Sequence, residues 1–84
     1  MTTQECRIMA VLRLQVARRI RHRRDKLGLT QAQLAERCGM DAARISDAER
    51  GKGRLLVATL ERIAGGLGVG MMYFFRIDSR RHPA

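Results

Sequence analysis

The chain has 84 residues, so we expect one small domain with a limited core. Its 17 Lys and Arg against 8 Asp and Glu give a formal net charge of +9, while 45% of its residues are hydrophobic. That hydrophobic content excludes a disordered basic tail, a single proline and few aromatic residues argue against a β-sandwich, and the charge predicts an anionic partner.

Apolar residues at every fourth position predict a first helix that ends near Lys26, before Gly28. A strand remains an alternative for the first half of this segment, because Leu12, Leu14 and Val16 also alternate with polar residues. The apolar stripe of the predicted helix consists of Ile8, Leu12, Val16 and Ile20.

Two short helices follow. Thr30 and Gln33 have the spacing of a capping box, and Cys38-Gly39 ends that second helix. Asp41 is the predicted N-cap of a third helix, which runs to Arg50 before Gly51. Two short helices joined by a turn that contains glycine predict a helix-turn-helix.

The C-terminal third contains a fourth helix and a short fifth one. Val57, Leu60, Ile63, Ala64 and Leu67 have core spacing, and the Gly65-Gly66 pair predicts either the close approach of another backbone or a frayed last turn. Residues 69–75 predict a short fifth helix, and we expect residues 76–84 to be a flexible tail.

Several separated motifs carry a family resemblance. They are the run 29–35 (LTQAQLA), Ile45-Ser46, Glu49-Arg50-Gly51, the run 60–64 (LERIA) and Leu67-Gly68-Val69. Their order and spacing over about residues 16–75 resemble the Cro/C1-type (XRE) helix-turn-helix family. Within that family they are most similar to small dimeric controllers of restriction-modification systems and to plasmid or phage repressors.

The resemblance implies an all-α, compact five-helix bundle of the lambda-repressor type. Residues 1–84 would form one DNA-binding domain, with residues 1–15 as an N-terminal extension of the first helix. The expected partners are double-stranded DNA and a second copy of the chain, bound as a homodimeric repressor or controller to a pseudo-palindromic operator. The helix 41–50 would lie in the major groove, whose width matches an α-helix.

Base readout is then expected from the outward side of that helix. Ala42 and Ala43 can contact only a thymine methyl, whereas Arg44 can donate two hydrogen bonds to guanine and Asp47 can accept one from cytosine. A phosphate contact or plain solvation is the alternative for Arg44. The predicted readout set is Ala42, Ala43, Arg44, Ser46 and Asp47.

Phosphate contacts are expected around the start of the second helix and after the third. The resemblance gives Gln31 this role, and it also implies a structural pair between Arg24 and Glu49; two independent surface charges are the alternative reading of that pair. A basic run on the first helix supports attachment to DNA. The predicted phosphate set is Thr30, Gln31, Gln33, Arg24, Arg50, Lys52 and Arg54.

Dimerisation is predicted from the apolar cluster at residues 69–75, which is larger than one helix face can bury. Phe74 or Phe75 would belong to the core, and the predicted interface set is Met72, Tyr73 and Phe74. A cluster that is entirely core is the alternative, and apolar residues at 8–14 could extend the interface.

Other classes of function have weaker support. Neither Cys6, Cys38 nor the histidines lie in a metal-ligand or catalytic motif, so we expect no enzyme, metal, cofactor or small-molecule ligand. No apolar run reaches a membrane span and no signal peptide is evident, so a cytoplasmic, nucleoid-associated bacterial protein without membrane contact is expected. An antitoxin or adaptor that binds mainly a protein, and a charge-driven binder of RNA or membrane surfaces, remain alternatives.

Overall fold

Helices account for the regular structure of the computed structural model, which describes residues 3–53 and 56–76, with side chains from residue 7 onward. They are α1 (Thr3–Lys26), α2 (Gln31–Cys38), α3 (Ala42–Glu49), α4 (Val57–Leu67) and a C-terminal 3₁₀ helix (Met71–Phe75). Within these ranges there is no strand, so the first half of α1 is helical and the strand alternative is wrong. The all-α prediction is confirmed.

The predicted five-helix count is not matched. The described residues form four α-helices, and the fifth element is a 3₁₀ helix that begins at Met71 rather than at Val69. Gly68 ends α4 in the left-handed conformation, with φ 69°, and Gly70 is extended, so the chain turns before it resumes a tighter helix. Of the predicted flexible tail, residues 77–84 lie outside the described part of the chain.

The core lies where α1, α2, α3, α4 and the 3₁₀ helix meet. α2 packs against α3 and α4, while α1 crosses α3, α4 and the 3₁₀ helix. The fully buried large side chains are Phe74, Ile20, Leu34, Ile45, Ile63, Leu67 and Val16. Each of the described helices therefore contributes at least one residue to a single cluster.

Local signals explain the ends of the two middle helices. Thr30 Oγ1 accepts from the Gln33 amide at 3.0 Å, and Gln33 Oε1 accepts from the Thr30 amide at 2.8 Å, which confirms the capping box. Gly39 ends α2 with φ 66°, a conformation that favours glycine. Asp41 is the N-cap residue of α3, as predicted, although its side chain makes no capping hydrogen bond.

The apolar stripe predicted on α1 is buried over only half its length. Val16 and Ile20 are 1% and 0% exposed, whereas Ile8 is 53% exposed. Burial along α1 depends on which other elements lie over each residue, and a periodic pattern cannot reveal where they lie.

Gly66 lies where α4 packs closely against α2. Of the two predictions for the Gly65-Gly66 pair, the close approach of another part of the chain is therefore confirmed. A Cβ atom built at Gly66 would overlap the Cys38 sulfur and crowd Leu34, whereas a Cβ atom at Gly65 would meet open space. α4 continues through both glycines to Leu67 without fraying. The close approach of α2 and α4 therefore requires a residue without a side chain at position 66.

Candidate nucleic-acid interface

The third helix presents the predicted readout residues to solvent. Ala42, Ala43, Arg44 and Asp47 are exposed and Ser46 is half-buried, while Ile45 is completely buried. Because the first turn of α3 carries most of these exposed positions, a ligand that approaches the start of the helix meets them first. The structure thus places the predicted readout set on one accessible end of α3.

A salt bridge fixes α3 to α1. Arg24 Nε lies 2.6 Å from Glu49 Oε2 and Arg24 Nη2 lies 2.9 Å from Glu49 Oε1, in the two-point geometry typical of arginine and carboxylate. The side chains are 13% and 4% exposed. The predicted pair therefore forms, and the alternative of two independent surface charges is wrong.

The electrostatic setting of Arg24 keeps it charged. The hydrogen bond that Arg24 donates to Glu49 raises the pKa of the Arg24 guanidinium, although partial burial acts in the opposite direction. Arg24 Nη1 also donates to the Leu29 carbonyl at 2.8 Å and lies 3.3 Å from Asp25. Three of the five N–H groups of Arg24 therefore donate to protein atoms, and its side chain is 13% exposed, which leaves little of the guanidinium for the predicted phosphate contact.

Glu49 also holds a residue of α2, which was not anticipated. Gln31 Nε2 donates to Glu49 Oε1 at 3.2 Å. The chain Arg24–Glu49–Gln31 therefore links the end of α1, the end of α3 and the start of α2. No spacing rule signals the Gln31 contact, because it depends on the angle between α2 and α3.

The other predicted phosphate residues surround this network. Thr30, Gln33, Arg50 and Lys52 are exposed and Gln31 is half-buried. The oxygens of the Thr30 and Gln33 side chains are used in the capping box, which leaves the hydroxyl proton and the amide nitrogen for a ligand. Arg54 lies outside the described residues.

Several arginines of α1 serve the fold rather than the surface. Arg23 Nε donates to Leu67 O at 3.2 Å, Arg13 Nη1 donates to Gly53 O at 3.2 Å, and Arg19 donates to Arg76 O. Leu67 is the last residue of α4, where carbonyl groups lack partners within the helix. Basic residues near a helix C-terminus are a known pattern, but the sequence does not show which helix end they would reach.

The C-terminal apolar cluster is divided between core and surface. Phe74 is fully buried in its own domain, so it has no surface for a partner and its assignment to the dimer interface is wrong. Tyr73 is half-buried, packs edge-on against Phe74 and lies under the Arg19 guanidinium, 5.7 Å from the ring centre. Met72 is 70% exposed. The alternative in which the whole cluster is core is therefore also wrong.

No other chemistry competes with this surface in the described part of the chain. Within residues 3–53 and 56–76 no group of histidine, cysteine and acidic residues could hold a metal, and no helix could cross a membrane. Burial raises the pKa of the Cys38 thiol, which keeps it protonated and unreactive. A cleft of about 170 Å³ beside Arg44 and Lys52 is smaller than typical ligand pockets.

Comparison with known proteins identifies relatives of this chain. A helix-turn-helix family model (HTH_3) matches residues 20–74. The chain is 40% identical over 68 residues to a protein of Rhodospirillum rubrum named as an uncharacterized transcriptional regulator in the ATPase CF(0) region. That alignment covers 81% of this chain and 63% of the relative.

Solved structures show the same arrangement. A hypothetical transcription factor from Neisseria superposes with a TM-score of 0.76 at 30% identity, over 83% of this chain and 80% of that one. The wild-type restriction-modification controller protein C.Esp1396I superposes with a TM-score of 0.70 at 36% identity, over 76% and 83% of the two chains. The family model and these relatives agree on the region that contains α2 and α3, and this chain belongs to the XRE-type helix-turn-helix family.

Proposed function

We propose that the chain is a transcriptional regulator that binds double-stranded DNA in a sequence-specific manner as a homodimer. The observation that carries this proposal is the exposed first turn of α3, held in place by the Arg24–Glu49–Gln31 network. A fixed, solvent-facing helix end is what insertion into a major groove requires. The names of the relatives, a transcription factor and a restriction-modification controller, point to the same function.

Selectivity would depend on few side chains. Ala42 and Ala43 let the helix approach the bases closely and can contact thymine methyl groups. Arg44 is the strongest candidate for guanine, and Asp47 for cytosine, because their side chains match the groups that those bases display. Since Asp47 also repels phosphates, it would exclude wrong sequences more than it adds affinity.

Attachment would come from Gln31 and the residues around it. Gln31 has a second amide proton beyond the one that Glu49 accepts, and it stands at the first position of α2, where backbone amides are also free. Lys52 and Arg50 would contact phosphates on the other side of α3. The logarithm of the binding constant falls linearly with the logarithm of the salt concentration. Each phosphate that the protein neutralises adds about −0.9 to this slope.

A homodimer would place two α3 helices about 34 Å apart, in successive turns of one DNA face. Its binding site would then be a pseudo-palindrome, and such a site within a promoter would make the protein a repressor or controller. Of the predicted interface residues, Met72 and the exposed part of Tyr73 remain available for a partner.

Selection from random duplex DNA at physiological salt tests the proposal. We expect enrichment of an inverted repeat whose half-sites are separated by about one helical turn. Failure to enrich any sequence, with the protein folded and DNA in excess, would contradict sequence-specific binding.

Replacing Arg44 with alanine tests its role in readout. We expect Arg44→Ala to lose about 1 to 3 kcal/mol of discrimination at one base pair in each half-site, because a bidentate contact to guanine is lost. The measurement is the binding constant for the selected site and for its variants at each position. Lys52→Ala is the matched control, and it should weaken binding to every sequence equally. Equal weakening by Arg44→Ala would instead make Arg44 a phosphate ligand.

One observation favours a second candidate function. The outward residues Ala42 and Ala43 offer no hydrogen-bond donor to bases, and a surface that reads few bases would suit an antitoxin or adaptor that acts mainly through a protein partner. The selection experiment separates the two functions, since an adaptor would enrich no defined repeat.

A further inference from the structure

The first half of α1 lies outside the part of the chain that the family shares, because the family model begins at residue 20. Arg13 nevertheless connects this segment to the loop of residues 51–53, which follows α3. Its Nη1 atom donates a hydrogen bond to the Gly53 carbonyl at 3.2 Å. A residue from outside the shared fold therefore contacts the loop that carries the predicted phosphate ligand Lys52.

The backbone of the loop also lies beside α1. A Cβ atom built at Gly51 would be 3.5 Å from Leu14 Cδ2 and 3.6 Å from the Arg13 carbonyl oxygen. Both are ordinary van der Waals distances, so a methyl group would just fill the space between the loop and α1. The loop is thus close to α1 at Gly51 and hydrogen-bonded to it at Gly53.

Lys52 stands between two anchors of this loop. On the side of α3, the Lys52 amide donates to the Asp47 carbonyl at 3.0 Å. On the other side, the Gly53 carbonyl accepts from Arg13. The flanking glycines, Gly51 and Gly53, have φ of 71° and 79°, and glycine is the residue with the most backbone freedom to lose. Arg13 therefore holds the part of the loop that the contact with α3 does not reach.

We propose that Arg13 is a positioning residue for DNA binding, which holds the loop so that the Lys52 ammonium group meets a phosphate of the DNA backbone. The inference rests on the proposed function, in which Lys52 is a phosphate ligand. A lysine side chain does not fix its own direction, since a flexible stem joins its ammonium group to the backbone. Holding the peptide groups on both sides of Lys52 lowers the cost of ordering that side chain when DNA binds.

The contacts of Arg13 favour positioning over a phosphate contact of its own. Its side chain is half-buried, and its Nε atom donates to the Met9 carbonyl, one turn earlier on α1, at 3.4 Å. With Nη1 bound to Gly53, the guanidinium is directed at backbone carbonyls on two sides. The salt dependence of binding counts the phosphates that a protein neutralises, so it distinguishes a positioning arginine from a phosphate ligand.

Backbone amide relaxation, measured by NMR on the full chain without DNA, tests whether Arg13 orders the loop. We expect order parameters of about 0.85 at Lys52 and Gly53 in the native protein and below about 0.6 in Arg13→Ala. Arg18→Ala is the matched control, because it removes the same charge from an exposed position of the same helix and should leave both values unchanged. Equal order parameters in the native protein and in Arg13→Ala would overturn the proposal.

Fluorescence anisotropy with a DNA duplex of random sequence, at several salt concentrations, tests the consequence for binding. We expect Arg13→Ala to raise the dissociation constant about 2- to 10-fold more than Arg18→Ala does, the range expected for ordering one flexible side chain. In a Lys52→Ala background, Arg13→Ala should weaken binding no more than Arg18→Ala, because no ammonium group is left to position. Circular dichroism must show that each variant keeps its helices.

Two results of the binding experiment would overturn the positioning role. Arg13→Ala and Lys52→Ala could weaken binding additively, each reducing the magnitude of the salt slope by about 0.9, which would make Arg13 a phosphate ligand itself. Arg13→Ala could also weaken binding no more than Arg18→Ala in the native background, which would show that Lys52 needs no such support. A native chain that binds no duplex would contradict the proposed function, and the relaxation measurement would still show whether Arg13 orders the loop.

Discussion

The two sides of α1 carry the same residue type in two different roles. On the packed side, Arg23 and Arg24 reach across to the end of α4 and to Glu49 of α3, and their donors contact protein atoms. On the outer side, Arg18 and Arg21 are exposed. The basic run of α1 is therefore not one electrostatic surface. A charge run in a small helical domain can hold the helices together as well as attract an anion.

The largest difference in stability is expected between the variants Arg24→Ala and Arg21→Ala. Arg24→Ala leaves the Glu49 carboxylate, 4% exposed, without its charged partner, and we expect a loss of about 3 to 5 kcal/mol in the free energy of unfolding. Arg21→Ala removes an exposed charge and should change stability by less than about 0.5 kcal/mol. Urea unfolding of both variants gives the comparison. Similar stabilities would show that the salt bridge contributes nothing to holding α3.

The same contrast between packed and exposed positions applies to the neighbouring glycines of α4. Gly66→Ala should cost about 1 to 3 kcal/mol, because its Cβ atom would force α4 away from Cys38 and Leu34 of α2. Gly65→Ala should gain up to about 1 kcal/mol, since alanine favours the helix and meets no neighbour there. Thermal unfolding monitored by circular dichroism measures both changes. Stabilisation by both substitutions would contradict the close packing of α2 and α4.

The smallest effect is expected at Arg23. Arg23→Ala removes a hydrogen bond to the last carbonyl of α4 and a positive charge near the negative end of that helix, together worth about 1 kcal/mol. Arg18→Ala, a change of the same residue type on the exposed side of the same helix, is the control and should be neutral. If the two variants unfold at the same urea concentration, the contact to Leu67 has no energetic role.

Local signals in the sequence predicted much of the fold. The capping box at Thr30 and Gln33, the glycine at position 39 and the core spacing in α4 are properties of a few neighbouring residues, and the structure has them where they were predicted. Phe74 and Ile8 were misassigned for the opposite reason, because exposure depends on which distant elements lie over a residue. Apolar character alone does not distinguish Phe74, in the core, from Met72, at the surface.

The features of the candidate interface also fall into those that the sequence determined and those that only the tertiary structure decided. Motif order and the resemblance that it carries determined the family, the helix that presents Arg44 and Asp47, and the pairing of Arg24 with Glu49, all of which depend on short segments in a fixed order. The tertiary structure alone decided that Gln31 shares the Glu49 carboxylate, that the packed arginines of α1 bind carbonyl groups, and that Val11 is 62% exposed among the described residues. The physical reason is that helix formation depends on residues within one or two turns, whereas hydrogen bonds between helices and the exposure of each face depend on crossing angles that no local pattern encodes.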